Sequence, residues 1–534
     1  MIVIRGGELY DPAHGVEGEA RDLWVDEGHI VPAQATAGNA EIMDARGMIV
    51  APAGVEIHTH VAGSGLNAAR RFLLNDCGTL DALANQARFA AEQYLCLGYT
   101  TVMDAASAPL FARSTMADLQ QMEVVDRGTY TLMGDNRMLL EALADDDRNR
   151  IRDTLAWLLE ASGGYAVKLV NPGGGLAWKS GRPALELDEP IGLGGLTQRQ
   201  ILYRVVEFAN ELGLPHPAHI HAGNLGRPGN YASFLETVRA LEGQRAHFCH
   251  IQFYAYGEDA QGGYNSAAEQ VAEELENHPD LTFDLGQVVF GSALAVSADT
   301  SGLDRLRRLT RQPWISRQLE GEGGMSALPL AYRMKDAPSA VQWATGLELM
   351  LRFDHPERLF LTTDHPNGGH FTAYPQVIAW LMNRATRQEM LRHVHPAARK
   401  ATRLAEVDRE FNLGEVFAMT SWGPARALGL DNRGHLGVGA KADIRCYRKQ
   451  ENPETMFARP AWVMRNGWVV AREGELVERA DGEVLVTRPA WDRERLSRLH
   501  NRLAELVSVP VRQYALGEMR IEKLREVACK STAC

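Results

Sequence analysis

The sequence predicts an α/β protein: a (β/α)8 TIM barrel carrying a small β-sandwich domain built from N- and C-terminal segments. Three observations predict it. Between residues 55 and 364, eight short apolar runs alternate with longer segments of helical period, and repeated β-then-α units imply a parallel sheet. Residues 1–50 and 435–475 share another texture, short apolar runs broken by turn residues, so the two ends can pair into one small domain. The residues able to bind metal or move protons fall at the ends of the apolar runs, where a barrel of this type carries its active site. A doubly wound open sheet is the runner-up.

The N-terminal strands are expected at Met1–Ile4, Asp22–Val25, His29–Val31 and Glu41–Met43, divided by Gly-Gly, Asp-Pro and Glu-Gly. The barrel strands are expected at Val55–His60, Thr100–Asp104, Thr129–Gly134, Ala166–Val170, Ala218–His221, Ala246–Ile251, Leu281–Gln287 and Leu359–Asp364. Ile49, Val50, Ala51, Val55 and Ile57 read as one buried strand leading into the first of these. Helices are expected between the strands, for example Ala82–Leu97 and Gln198–Leu212. Ala442–Tyr447, Ala461–Arg465 and Trp468–Ala471 complete the small domain. Arg493–Val507 places Leu496, Leu499, Leu503 and Leu506 at helical spacing, an amphipathic helix that packs on the body. The expected domains are 1–50 (first part of the β-domain), 51–420 (barrel), 421–485 (second part of the β-domain) and 486–534 (a C-terminal helical extension).

Bulk properties narrow the function. A length of 534 residues exceeds one minimal core. A net charge of −12 argues against a nucleic-acid partner, whose footprint is basic. The N-terminus lacks the basic and apolar regions of a signal peptide, and no apolar stretch of about 18 residues exists, so neither export nor a membrane span is expected. The six cysteines are scattered without a Cys-X-X-Cys, which disfavours a thiolate zinc knuckle and fits a reducing cytoplasm. Of the 56 basic residues only eight are lysines, and the first is Lys168.

The chemistry begins at His58-Thr-His60. Side chains at i and i+2 of a strand share a face, so two imidazoles stand together where the first barrel strand ends. Taken alone, a His-X-His triplet is common by chance. The fourth strand buries Lys168, a cation that must there be paired, neutralised or modified. The fifth offers His219 and His221, the sixth His250, and the eighth ends in Asp364 with His365 beside it. His247 and His278, for which a surface position is an alternative, are left out of the set. Each position has a structural alternative: a hydrogen-bonded core histidine, a lysine paired with a barrel glutamate, an aspartate opening a turn before Pro366. Their coincidence on five strand ends favours a metal site. Four histidines and one aspartate are suitable zinc ligands but few for two ions. A lysine that adds CO2 becomes a bridging carbamate, a role closed to arginine.

With these residues assembled, the set His58-X-His60, Lys168, His221, His250 and Asp364 resembles the amidohydrolase superfamily. Four motifs are similar to the amidohydrolase-type subunit of the formylmethanofuran dehydrogenases: Val-Lys-Leu-Val-Asn-Pro-Gly-Gly-Gly (167–175), His-Ile-His-Ala-Gly-Asn-Leu-Gly (219–226), His-Ile-Gln-Phe-Tyr-Ala-Tyr-Gly (250–257) and Thr-Thr-Asp-His-Pro-Asn-Gly-Gly (362–369). The resemblance runs from residue 1 to about residue 480 and implies specific roles. His58 and His60 bind one Zn²⁺ with Asp364, Lys168 bridges as N6-carboxylysine, and His221 and His250 bind a second Zn²⁺. Either member of the 219/221 pair is open as the ligand; His221 is preferred because it precedes a small residue and a turn. His219, Asn171, Asn224 and Asn367 are then expected to line the site and hold substrate, and Asp364 to act as the catalytic acid–base.

The resemblance further implies a zinc-dependent hydrolase of a linear formamide, releasing formate from formylmethanofuran or formylmethylofuran, with the furan amine as carrier. It implies partners in a multisubunit complex: a formyltransferase and further subunits. Abundant arginine and alanine tilt the reading toward the bacterial, hydrolytic branch. The alternatives are a cyclic-amide hydrolase of dihydropyrimidinase type, which would share every metal ligand, and a scaffold subunit without chemistry.

Overall fold

The computed structural model describes residues 1–33, 38–73, 86–182, 186–317 and 320–530. Eight parallel strands form the barrel wall: β1 Gly54–Thr59, β2 Tyr99–Ser107, β3 Asp126–Leu132, β4 Ala166–Val170, β5 His219–His221, β6 Ala246–Phe248, β7 Leu281–Asp284 and β8 Leu359–Phe360. Each pairs in parallel with the next. The last and first strands meet just beyond β8, where the His60 N–H donates to His365 O at 2.6 Å and the Thr362 hydroxyl to His58 O at 3.2 Å. Each of the eight expected runs contains a strand. The strands β6 and β8 end early because the chain leaves the ladder to form the rim: His250 and Asp364 lie beyond them with φ of 41° and 48°.

The apolar run from residue 49 to 57 is two strands, a correction to the single one read from sequence. Met48–Pro52 pairs antiparallel with Ile444–Arg448 in the small domain, while Gly54–Thr59 opens the barrel. The chain changes partners at one step: the Ala53 N–H donates to Asp443 O and the Gly54 N–H to Gly98 O. Pro52, without an N–H, cannot carry the first ladder further. The small domain is a nine-stranded sheet that joins Ile2–Asp11 and Val16–Asp26 from the N-terminal end to Ile444–Arg448, Trp462–Arg465 and Trp468–Arg472 from the C-terminal end. It has its own core, including Ile4, Leu23, Val50, Ile444 and Trp462.

Helices cover the barrel. Gln198–Glu211 begins at Thr197, whose side chain and that of Gln200 form a capping box. Gln86–Cys96 occupies most of the expected Ala82–Leu97 helix; residues 82–85, like Cys77 and Cys534, lie outside the described residues. In the C-terminal segment, helix Leu496–Leu506 buries Leu499 and Leu503, and the strands Val484–Val486 and Leu524–Glu526 join the barrel sheet beside β3. Asp126, at the start of β3, is fully buried among Arg433, Arg465 and Lys441, which clamps the late part of the chain onto the base of the barrel. Among the described residues no helix is long and apolar enough to cross a membrane.

Two features frame the rim. Below it, Tyr130, Phe360, Val55 and Ile57 fill the lower barrel, and the Tyr130 hydroxyl donates to Ile57 O at 2.8 Å. Above it, Gly291–Ser297, Ile315–Arg317 and Met325–Tyr332 form an antiparallel sheet that walls a cavity of about 910 Å³.

Candidate metal centre

The expected ligands come together in the wall of that cavity, whose lining includes His58, His60, Lys168, His221, His250 and Asp364. His58 Nε2 and His60 Nε2 each lie 3.2 Å from Asp364 Oδ1. The His58 ring centre is 5.5 Å from that of His60 and 5.4 Å from that of His250, and His250 is 4.7 Å from His221. His58, His60 and Asp364 can hold one ion, and so can His58, Cys249 and His250. Three buried ring nitrogens here, His58 Nε2, His221 Nε2 and His250 Nδ1, have no hydrogen-bond partner. Buried polar atoms are rarely left so. Ring nitrogens of this kind in the lining of one cavity fit a cation.

Lys168 points into the same space and is buried. Its Nζ donates to Cys249 Sγ at 3.1 Å, and among the described residues no carboxylate lies within ion-pair distance of it. Cys249 Sγ is also 3.1 Å from His250 Nε2.

The other expected site residues have different surroundings. His219 and His221 share a face, as read, but sit about 7 Å apart along the strand axis. His221 therefore reaches the cavity. His219 lies one level below, with Nε2 3.1 Å from His58 Nδ1 and Nδ1 3.0 Å from His216 Nε2. Asn367 lines the cavity, and its Nδ2 donates to Asp364 Oδ1 at 3.0 Å. Asn171 is held by Gln198 and donates to Asp299 Oδ1 at 2.9 Å, so its amide braces Asp299, whose Oδ2 is 3.8 Å from His221 Nε2. Asn224 contacts Ser233 and is absent from the cavity lining.

Sequence reasoning missed the layer beneath the ligands. Asp284 Oδ2 is 2.9 Å from His58 Nδ1 and 3.1 Å from His247 Nε2, while Oδ1 accepts the His250 N–H at 2.7 Å. His247, left out of the expected set, is fully buried, because β6 is covered on both faces and every second residue points inward. A signal for Asp284 exists in the sequence: it ends the one late strand that otherwise carries no chemistry.

Electrostatics follow from burial and these contacts. Burial alone would raise the Asp364 carboxyl, but His58, His60 and His250 outweigh it and hold Asp364 well below its ordinary range. Burial likewise opposes the Asp284 anion, and His58 and His247 overcome it. Burial opposes a charged His58 as well, yet Asp284 and Asp364 raise it well above its usual value. His216, His219, His221, His247 and His250 are all lowered, chiefly by burial, with the Lys168 charge contributing. Neutral imidazoles and an ionised carboxylate are the forms that ligate metal, so an ion at His58 would displace a proton from its ring.

The chain is similar to known proteins over most of its length. Residues 41–471 match the amidohydrolase family model. The FhcA component of the formyltransferase/hydrolase complex Fhc from Methylorubrum extorquens is 37% identical over 498 residues, covering 90% of each chain. Protein FwdA from Methanocaldococcus jannaschii is 36% identical over 514 residues, again 90% of each chain. A chain in the crystal structure of the M. extorquens FhcABCD complex with methylofuran superposes with a TM-score of 0.93 and 34% identity, covering 99% of this chain and 100% of that one. An N-acyl-D-glutamate deacylase from Bordetella bronchiseptica, complexed with zinc and a phosphonate inhibitor, shares the fold at a TM-score of 0.52 and 17% identity, covering 92% of this chain and 99% of that one. The chain belongs to the amidohydrolase family.

Proposed function

We propose that this chain is the N-formyl hydrolase subunit of a formyltransferase/hydrolase complex, cleaving the formamide of a formylated furfurylamine carrier, formylmethanofuran or formylmethylofuran, to formate and free amine. The observation that carries it is the convergence of four histidines, Lys168 and Asp364 in the wall of the large cavity. The near-complete overlap with one chain of a complex crystallised with methylofuran supports the carrier class, a formyltransferase partner and further subunits.

In this reading His58, His60 and Asp364 would hold one zinc and His221 and His250 a second. Lys168, if its amine added CO2 and released a proton, would supply a carbamate anion to help hold them. Bound zinc would supply Lewis acidity, making a water more acidic and polarising the formyl carbonyl. The chain's own residues do the rest. Asp364 takes a proton from the water that attacks the formyl carbon and returns it to the amine nitrogen as the C–N bond breaks, because an unprotonated amine leaves poorly. Asn367 and the two histidines fix the carboxylate for both transfers. The cavity walls around Tyr264, Leu330 and Tyr332 would hold the carrier and exclude water.

Asp364→Asn tests the assignment. With N-formylfurfurylamine as substrate, formate release should fall by about 10²–10⁴-fold while zinc measured per chain stays largely unchanged. Normal hydrolysis by the variant refutes the role of Asp364. Hydrolysis of hydantoin or dihydrouracil, with none of the formamide, would move the substrate class to cyclic amides. Wild-type protein that carries no zinc after purification refutes the metal centre.

A further inference from the structure

Beneath the ligands lies a hydrogen-bonded layer whose proton positions can be worked out from one end. His216 Nδ1 is 2.8 Å from Ala427 O, an oxygen that can only accept, so Nδ1 carries the proton. His216 Nε2 then offers a lone pair to His219 Nδ1, which must in turn be protonated. His219 Nε2 is left as an acceptor facing His58 Nδ1. Asp284 Oδ2 faces the same His58 nitrogen and is also an acceptor. Two acceptors therefore require the proton of His58 to be on Nδ1. Nε2, which lies 3.2 Å from Asp364 Oδ1, is then the ring nitrogen left to bind a cation, its own proton being the one a metal would displace.

Asp284 reaches the other half of the centre too. Its Oδ1 accepts the backbone N–H of His250, a residue in the left-handed region, φ 41°. A β-carbon on Gly286 would lie 2.4 Å from His250 Cβ, so the turn after β7 is moulded against that residue. One carboxylate at the end of β7 thus controls a side chain from β1 and a backbone from the β6 rim.

We infer that Asp284 is the positioning residue of the metal centre, setting the Nε2-ligating tautomer of His58 and the backbone of His250 together, with His219 and His216 as the supporting relay. The inference rests on the proposed metal-centre reading. Such outer carboxylate–histidine partners typically govern metal affinity by 10–100-fold. Asp284→Asn keeps the shape but presents an amide N–H to at least one of three N–H donors: His58 Nδ1, His247 Nε2 and the His250 backbone. His247→Gln removes a different buried hydrogen bond of Asp284 without touching His58 or His250, and serves as the control for general disturbance of the layer.

The test is zinc affinity of the full chain, by competition with a chromogenic chelator, together with the visible spectrum of the cobalt-substituted protein. Asp284→Asn should bind zinc about 10–100-fold more weakly and show an altered cobalt band. His247→Gln should stay within about three-fold of wild type with the wild-type band. Wild-type affinity in Asp284→Asn, or equal losses in both variants, overturns the inference while leaving the metal centre standing. A wild-type chain that binds no zinc fails the earlier reading instead. If Asp284→Asn does not fold, the structure of the zinc-loaded wild type decides: zinc on His58 Nε2 with Asp284 Oδ2 on Nδ1 supports the inference, and zinc on Nδ1, or Asp284 turned away, overturns it.

Discussion

Replacing Glu322 by glutamine should stabilise the protein at pH 8 and leave it unchanged near pH 4. Glu322 is 4% exposed. One of its oxygens accepts the Leu110 N–H at 3.1 Å, and the other meets the Tyr514 hydroxyl of the C-terminal segment. Burial pushes its carboxyl up from the ordinary 4.5 to about 7, against the pull of both hydrogen bonds. Between those two values the folded protein keeps a proton that the unfolded chain has released. The unfolded state then binds fewer protons, so stability falls as pH rises through this window and levels off above it. The interval corresponds to a loss of about 3 kcal/mol. Glutamine copies the protonated form, with its oxygen for Leu110 and its N–H for Tyr514, and does not titrate. The variant's advantage should therefore open from near zero at pH 4 to about 3 kcal/mol at pH 8. Urea unfolding across that range measures it as midpoint times slope. Taking the difference between variant and wild type isolates Glu322 from Asp135 and Glu56, whose carboxyls burial raises to about 6 and about 8. A gap that does not change with pH, or a variant less stable at pH 8, would refute the reasoning.

Three further outcomes are expected. Asp126→Asn leaves Arg465 and Arg433 buried without their shared carboxylate, and should cost about 3–5 kcal/mol in urea unfolding. Gly286→Ala places a side chain at φ 69° and against His250 Cβ; it should lose about 1–2 kcal/mol of stability from the left-handed backbone alone and weaken zinc binding in the same preparation. Lys168→Arg keeps a positive charge but cannot form a carbamate, so it should hold less zinc than wild type by metal analysis and release no formate; full metal content and activity would show that an unmodified cation suffices.

The convergence of the candidate residues was legible because it depends on residue type at strand ends. Lys168 lies in a strand with the bounds read from sequence, Ala166–Val170, and His58, His60, His221, His250 and Asp364 stand where β1, β5, β6 and β8 give way to the rim. The layer beneath was not legible. His216 comes from a Pro-His-Pro loop before β5, His247 from a strand of three residues too short to show alternation, and Asp284 from a strand whose pattern looks ordinary. Their roles arise from packing across the barrel, between residues as far apart as His58 and Asp284, and no local period records that. The split of the run at Pro52–Gly54 was hidden for a related reason: both halves are buried, so hydrophobicity does not change where the chain passes from one sheet to another.

The way this protein treats its other buried cations bears on Lys168. Arg433, Arg465 and Lys441 share the carboxylate of Asp126. Arg127 donates to the carbonyls of Leu119 and Val125, Arg387 to those of Trp380, Val407 and Arg409, and Arg358 to those of Leu281, Leu275 and His278. Arg445 donates to the hydroxyls of Thr420 and Ser421. Each of these buried cations meets anions or accepting oxygens. Lys168 meets a thiol and a ring of imidazoles, and its charge is among the causes that lower His219, His221 and His250. An ammonium gains little from such neighbours and opposes any cation the imidazoles would bind. A carbamate on the same nitrogen would reverse the sign and give the histidines an anion to share metal with. The neighbours of Lys168 thus differ in kind from those of the other buried cations, and the proposed modification would account for a lysine at this strand.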